Sequence, residues 1–162
     1  MRKNNLILVT GGCGFVGTNL CVYLKKNLLN FKIFSADNLK RDYSKYNLKI
    51  LEQNKIKNYK VDVSKKEFFK IKKKFKIIID CCADPAVETS KKKIEDVFNN
   101  NLKSTLNILE KTRKDHSKLI FISSSRVYPI NESIKKFKKK KHSSYNEKKK
   151  LDGVKSLYGY TN

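Results

Sequence analysis

Residues 6–20 read LILVTGGCGFVGTNL, a short apolar run and then a turn that holds four of the chain's six glycines, Gly11, Gly12, Gly14 and Gly17. An apolar run of this length, broken by glycine and followed by a helical period from Val16 onward, describes a strand that feeds a helix. One glycine permits a tight bend, a second lets backbone approach a bound group, and a third lets the helix lie close to the strand. The start of the helix then presents N–H groups without carbonyl partners, which suits an anion. The pattern therefore predicts a pyrophosphate-binding turn, with Gly11, Gly14 and Gly17 as its steric permissions.

The remainder of the chain alternates short apolar runs with longer stretches of helical period, as in a parallel sheet with crossover helices. Strands are predicted at 6–9, 31–36, 59–61, 77–82 and 119–123. A first helix at 16–26 is predicted to turn Val16, Leu20, Tyr23 and Leu24 to one face, with Tyr23 at its rim. A short basic helix at 67–74 carries Phe68 and Ile71 inward, with Phe75 just after it. The stretch 94–112 places Val97, Leu102, Leu106 and Leu109 near every third or fourth position. Residues 131–155 are polar and lysine-dense with little period, and read as a solvated loop.

Asp37 ends the second strand at the distance where a carboxylate accepts hydrogen bonds from both ribose hydroxyls of a dinucleotide. An acid there favours NAD over NADP, although Lys40 and Arg41 stand close by. Asp62 follows the third strand, where it could receive an adenine amino group. The four cysteines, Cys13, Cys21, Cys81 and Cys82, have neither zinc-ligand spacing nor the density of a disulfide scaffold, so reduced, buried thiols are expected. Adjacent Cys81 and Cys82 should face opposite sides of a strand. His116 and His142 lack partners at metal spacing and read as surface residues, so no metal is assigned.

A length of 162 residues with 39% apolar content fits one domain with a real core. The formal charge of +23 would ordinarily indicate a nucleic acid or an anionic surface. Here lysine is spread through nearly every segment, beside abundant Asn, Ile, Phe and Tyr, which is the mark of A- and T-rich coding. Nucleic acid is accordingly not the assigned partner. The four apolar residues after the basic N-terminus are too few for a secretory core or a membrane span, and a cytoplasmic protein is expected.

Seven stretches in fixed order carry a likeness: TGGCGFVG, SADNL, VDVS, IIIDCCADPAV, NNNLKSTLNILE, FISSSRVYP and YGYT. Together they resemble the extended short-chain dehydrogenase/reductases that act on nucleotide sugars, and the wording GGCGF, DNLKR and SSSRVYP is most similar to the CDP-tyvelose (CDP-paratose) 2-epimerases. The resemblance implies a Rossmann-type doubly wound α/β sheet of strand order 3-2-1-4-5, incomplete at its C-terminus, with residues 1–162 as the N-terminal portion of an NAD(P)-binding domain and the substrate domain absent. It implies NAD as cofactor, held by Gly11, Gly14, Phe15, Val16, Gly17, Asp37, Asn38, Asp62, Val63, Ala83 and Asn101, with Pro85 near Ala83. It implies Ser124 and Tyr158 as catalytic residues that act on a nucleotide-diphosphate sugar, oxidising a hydroxyl by transient hydride transfer to NAD. Tyr158 would be the base, as a phenolate; free tyrosine has a pKa of about 10 and needs positive charge nearby. The family places a lysine four residues on, where this chain has Asn162. Asp80 stands where many relatives have histidine. A homodimer is implied for the full-length form. The alternative reading is a non-catalytic NAD-binding or polyanion-binding module.

Overall fold

The structure, a computed structural model, describes residues 5–83 and 94–124. Five parallel strands, β1 (Leu6–Thr10), β2 (Lys32–Asp37), β3 (Lys57–Lys60), β4 (Ile77–Asp80) and β5 (Lys118–Phe121), lie in the order β3-β2-β1-β4-β5. This is the expected doubly wound sheet. The chain reverses direction of travel across the sheet between β1 and its second neighbour β4, so the C-terminal ends of β1 and β4 flank the switch point where such sheets bind ligands. All five residues of β1 are buried, as a central parallel strand covered on both faces must be.

Alternation along β1 divides the core in two. Leu6 and Leu8 join Ala36, Ile78, Phe68, Phe75 and Ile108 on one face, while Ile7 and Val9 join Ile33, Cys21, Leu51 and Ile79 on the other. The helices α1 (Phe15–Asn27) and α2 (Ser44–Gln53) cover the second face. The first face is covered by a one-turn 3-10 helix at Lys66–Lys70 and by a long helix in three parts: α3 (Ile94–Val97), a π-helical turn (Phe98–Lys103) and α4 (Ser104–Asp115).

Several expectations from the sequence need correction. Helix α2 was not predicted: its inward stripe is Ser44, Asn47, Leu48 and Leu51, half of it polar, while Tyr46 and Ile50 point outward, so apolar residues mark both faces. The third strand runs Lys57–Lys60 rather than 59–61, and β4 stops at Asp80 rather than 82. In α1 Leu20 and Leu24 pack partly buried on the core as expected, but Gly17, Thr18 and Cys21 form the fully buried stripe and Val16 and Tyr23 are exposed, because Gly17 must meet the preceding turn. In the long helix Val97, Asn101, Ser104, Ile108 and Lys111 are buried, whereas Leu106 and Leu109 are about half exposed. These buried residues recur at steps of four, three, four and three, a stripe that Leu106 and Leu109 lie off, and a π turn at Phe98–Lys103 falls within it. Its loosened carbonyls find hydroxyl donors: Thr105 Oγ1 and Ser104 Oγ both donate to the Asn101 carbonyl, at 2.8 and 3.1 Å.

The predicted basic helix at 67–74 ends after a single turn for a definite reason. The Lys111 ammonium, buried on α4, donates to the carbonyls of Ile71 and Lys73, both at 3.2 Å, so these oxygens are drawn toward α4 rather than along a helix. Asp115 completes the clamp by accepting from Lys111 Nζ at 2.9 Å and from the Phe75 N–H at 3.2 Å. Phe68, Ile71 and Phe75 are buried as expected. Elsewhere lysines lie across aromatic rings, Lys73 over Phe34, Lys76 over Phe31 and Lys114 over Phe69, at 5.7, 5.3 and 4.8 Å from the ring centres. Their stems cover apolar surface while their charges stay wet, which is how a lysine-dense chain dresses a core. Lys57 and Lys60 likewise blunt the edge strand β3 against pairing with another chain. No helix among the described residues is long and apolar enough to cross a membrane.

Removal of one partner of the buried Lys111–Asp115 pair leaves an uncompensated charge, at a cost of about 3–5 kcal/mol. Asp115→Ala is expected to lower the urea midpoint accordingly, whereas Glu110→Ala, on the exposed face of the same helix, should leave the midpoint nearly unchanged.

Candidate functional site

An open cleft of about 450 Å³ lies at the C-terminal end of the sheet, over the switch point. Its floor is the glycine turn between β1 and α1. Gly11 has φ of +65°, and a side chain there would run into the Cys81 carbonyl; one at Gly17 would strike the Gly11 carbonyl. The turn is thus wedged between the end of β4 and the first turn of α1. The Gly11 N–H donates to the Ala36 carbonyl at 2.9 Å and the Gly14 N–H to the Gly11 carbonyl at 3.0 Å. Gly14 caps α1, whose first internal bond is Thr18 N–H to the Gly14 carbonyl at 3.0 Å. The N–H groups of Phe15, Val16 and Gly17 therefore stand at the helix start without carbonyls one turn back, as an anion site requires.

At the tip of β2 the Asp37 carboxylate is half-buried at the cleft. Its Oδ2 accepts from the Cys13 N–H at 3.0 Å and its Oδ1 from the Leu39 N–H at 2.8 Å. Burial raises its pKa above the ordinary aspartate value, and the two N–H donors oppose that rise. Each oxygen keeps a further acceptor direction, which a pair of vicinal hydroxyls could use. Across the cleft, Asp62 is held on every side. Ser64 donates through its N–H and its hydroxyl to Oδ1, and Lys40 and Asn38 approach Oδ2 at 3.1 and 3.4 Å. Burial pushes the Asp62 pKa up, but the Ser64 and Lys40 contacts outweigh it and hold the carboxyl below its usual range.

Of the residues singled out in the sequence, Gly11, Gly14, Asp37, Asn38, Asp62, Val63 and Ala83 line this cleft. Phe15 and Val16 expose their side chains to solvent, so any part they take is through backbone, and Gly17 is buried under the turn. Asn101 is buried beneath the wall that its neighbours Asn100 and Ser104 form. Ser124 lies just beyond β5, at the same end of the sheet. Pro85, Tyr158 and Asn162 fall outside the described residues. Sequence reasoning missed Tyr43 and Ser44, which come with the unpredicted α2, and missed Cys81 and Cys82 as lining residues. The span from β2 to β3 could have revealed α2, since parallel neighbours need a crossover that is usually helical.

All four cysteines are free thiols. Burial, and next the carboxylate of Asp37, pushes Cys13 up to about 12; burial, and next Asp80, pushes Cys81 up to about 11. These groups are protonated at neutral pH and do not act as nucleophiles. Among the described residues no cluster of acids, histidines and cysteines could hold a metal ion.

Asp80, in place of histidine, is fully buried at the end of β4. Its Oδ1 accepts from Thr10 Oγ1 and from the Cys82 N–H, each at 2.8 Å, while its Oδ2 has no hydrogen-bond partner among the described residues. Burial raises its pKa, with the Cys82 and Thr10 donors opposing. An acid whose folded pKa lies above the unfolded value gives stability at low pH and loses it as pH rises toward the folded value. Asp80→Asn is neutral throughout, so its stability relative to the parent protein should grow as pH rises above the unfolded value of about 4. A urea-derived difference that stays flat over that rise would show that Asp80 is not buried as a strained acid.

A family model described as NAD dependent epimerase/dehydratase matches residues 7–160. The dTDP-D-glucose 4,6-dehydratase of Dictyostelium discoideum is 34% identical over 128 residues, covering 75% of this chain and 29% of that protein. The bifunctional UDP-glucose 4-epimerase and UDP-xylose 4-epimerase 1 of Pisum sativum is 31% identical, over 83% of this chain and 41% of that protein. Among solved structures, a UDP-glucuronic acid 4-epimerase from Bacillus cereus, in complex with NAD and UDP-4-deoxy-4-fluoro-glucuronic acid, superposes with a TM-score of 0.75 and 28% identity, over 96% of this chain and 48% of that one. The chain thus spans less than half the length of each of these proteins.

Proposed function

Because the chain belongs to the NAD dependent epimerase/dehydratase family, we propose that its cleft holds NAD and that it serves an epimerase or dehydratase acting on a nucleotide-diphosphate sugar. The observation that carries this reading is the meeting, in one cleft, of the helix start at Phe15–Asn27 with the Asp37 carboxylate at the tip of β2. The side-chain-free cradle at Gly11 and Gly14 fits a pyrophosphate, and an acid held by two backbone N–H groups fits a ribose diol. A phosphate on that ribose would meet the charge of Asp37, which supports NAD over NADP.

Bound NAD would supply an acceptor for the hydride from the carbon that bears a sugar hydroxyl. The chain's own residues would orient the pieces: Asp37 fixes the ribose, the turn fixes the phosphates, and Asp62, held by Lys40, borders the adenine end. Ser124 would hydrogen-bond the reacting sugar oxygen, and Tyr158 would take its proton. The motif wording supports a CDP-tyvelose 2-epimerase-like substrate, and the share of each relative that is matched supports residues 1–162 as the N-terminal portion of the NAD-binding domain, with substrate contacts on a further domain.

Calorimetry tests the cofactor. NAD binding by the parent chain is expected, and Asp37→Ala should weaken it about 10- to 100-fold, since hydrogen bonds to a charged acceptor are worth about 1.5–3 kcal/mol each. Binding with a steep salt dependence that Asp37→Ala leaves unchanged would instead support the polyanion module. Catalysis is tested separately: interconversion of CDP-paratose and CDP-tyvelose by the chain joined to its substrate domain, abolished by Tyr158→Phe, is the expected result. NAD binding without such turnover of any CDP-sugar would leave a binding module and remove the catalytic assignment.

A further inference from the structure

Two consecutive peptide groups in the glycine turn are fixed at both of their polar ends. In the Gly12–Cys13 peptide, the carbonyl accepts from Thr18 Oγ1 at 2.9 Å and the N–H donates to Asp37 Oδ2 at 3.0 Å. In the Cys13–Gly14 peptide, the N–H donates to the Gly11 carbonyl at 3.0 Å, and the Cys13 carbonyl accepts from Asn47 Nδ2 at 2.8 Å. Three of these four restraints come from the turn, the helix that follows it, or the acid already placed at the ribose. The fourth comes from α2, on the other side of the cleft floor.

We infer that Asn47 is a positioning residue for dinucleotide binding, its side-chain amide holding the Cys13 carbonyl so that the start of α1 faces the pyrophosphate. The inference rests on the reading of the cleft as an NAD site. A trans peptide points its N–H and its carbonyl in opposite directions, so a carbonyl held toward α2 keeps the Gly14 N–H on the Gly11 carbonyl. Gly14 has no side chain to resist rotation of that peptide, and without Asn47 the Cys13 carbonyl is free to swing toward the anion. A carbonyl oxygen there would oppose a phosphate where N–H groups are needed. The donor is what matters at this position. Aspartate, of the same shape, offers no proton to the Cys13 carbonyl and adds a negative charge beside the phosphate.

The test compares two ligands on the full chain. Adenosine uses the Asp37 end of the cleft and carries no phosphate; NAD uses the turn as well. Asn47→Asp and Asn47→Ala should weaken NAD binding at least about fivefold, the scale of one net hydrogen bond, and leave adenosine within about twofold of the parent. NAD affinity within about twofold of the parent, or equal losses for both ligands, would overturn the inference, the second outcome showing general loosening of the fold. A parent chain that binds adenosine and not NAD would overturn the dinucleotide reading itself. In the parent chain, with no substitution, the Asn47 side-chain amide protons should exchange with solvent more slowly when NAD is bound than when adenosine is bound. Equal exchange with the two ligands would count against the inference even if a variant failed to fold.

Discussion

The contact between the first turn of α1 and the bend that precedes it governs the cleft, and it exists because Gly17 offers no Cβ to the Gly11 carbonyl. With that contact in place, α1 lies close on β1, its free N–H groups face the switch point, and the bend is pressed against the Cys81 carbonyl at the end of β4. Two strand ends and one helix start are thereby fixed relative to one another through backbone atoms. Side chains are then recruited to hold what the backbone has placed. Asp37 spends part of its acceptor capacity on Cys13 and Leu39, so the residue that would meet the ribose is also a strut of the floor.

The same economy shows on the opposite face. Lys111 and Asp115 neutralise each other in the core while their remaining hydrogen-bonding capacity ties a segment without regular structure to α4. Along the long helix Val97, Asn101, Ser104, Ile108 and Lys111 recur at four- and three-residue steps and look at the sheet, while Asn100 and Ser104 reach the wall of the cleft.

What could be read from the sequence follows from the range of the physics involved. The strands, the glycine turn and Asp37 are local signals, in which residue type and spacing determine the outcome within a few positions; their alternation indicated a parallel sheet, and the strand order came from the family resemblance. Helix α2 escaped because half of its inward stripe, Ser44 and Asn47 beside Leu48 and Leu51, is polar, while the apolar Tyr46 and Ile50 point outward. The expected inward faces held in part: Leu20, Leu24 and Val97 pack inward, whereas Val16, Leu106 and Leu109 look outward, and the residues that take the inward places, Gly17, Thr18, Asn101 and Ser104, are small or polar and leave no apolar period. Asn47, Lys111 and Asp115 act across 34 to 40 positions of sequence, and no spacing rule connects residues so far apart.

The thiols in and beneath the cleft carry a last consequence. Sulfur next to a redox cofactor would ordinarily be a point of entry for peroxides, because the thiolate is the form that oxidants attack. Burial beside the carboxylates of Asp80 and Asp37 keeps Cys13 and Cys81 in the unreactive protonated form. The floor of the cleft therefore gains the softness and small size of cysteine with little exposure to sulfenic acid damage, and the same acids that shape the pocket also insulate it from oxidative wear.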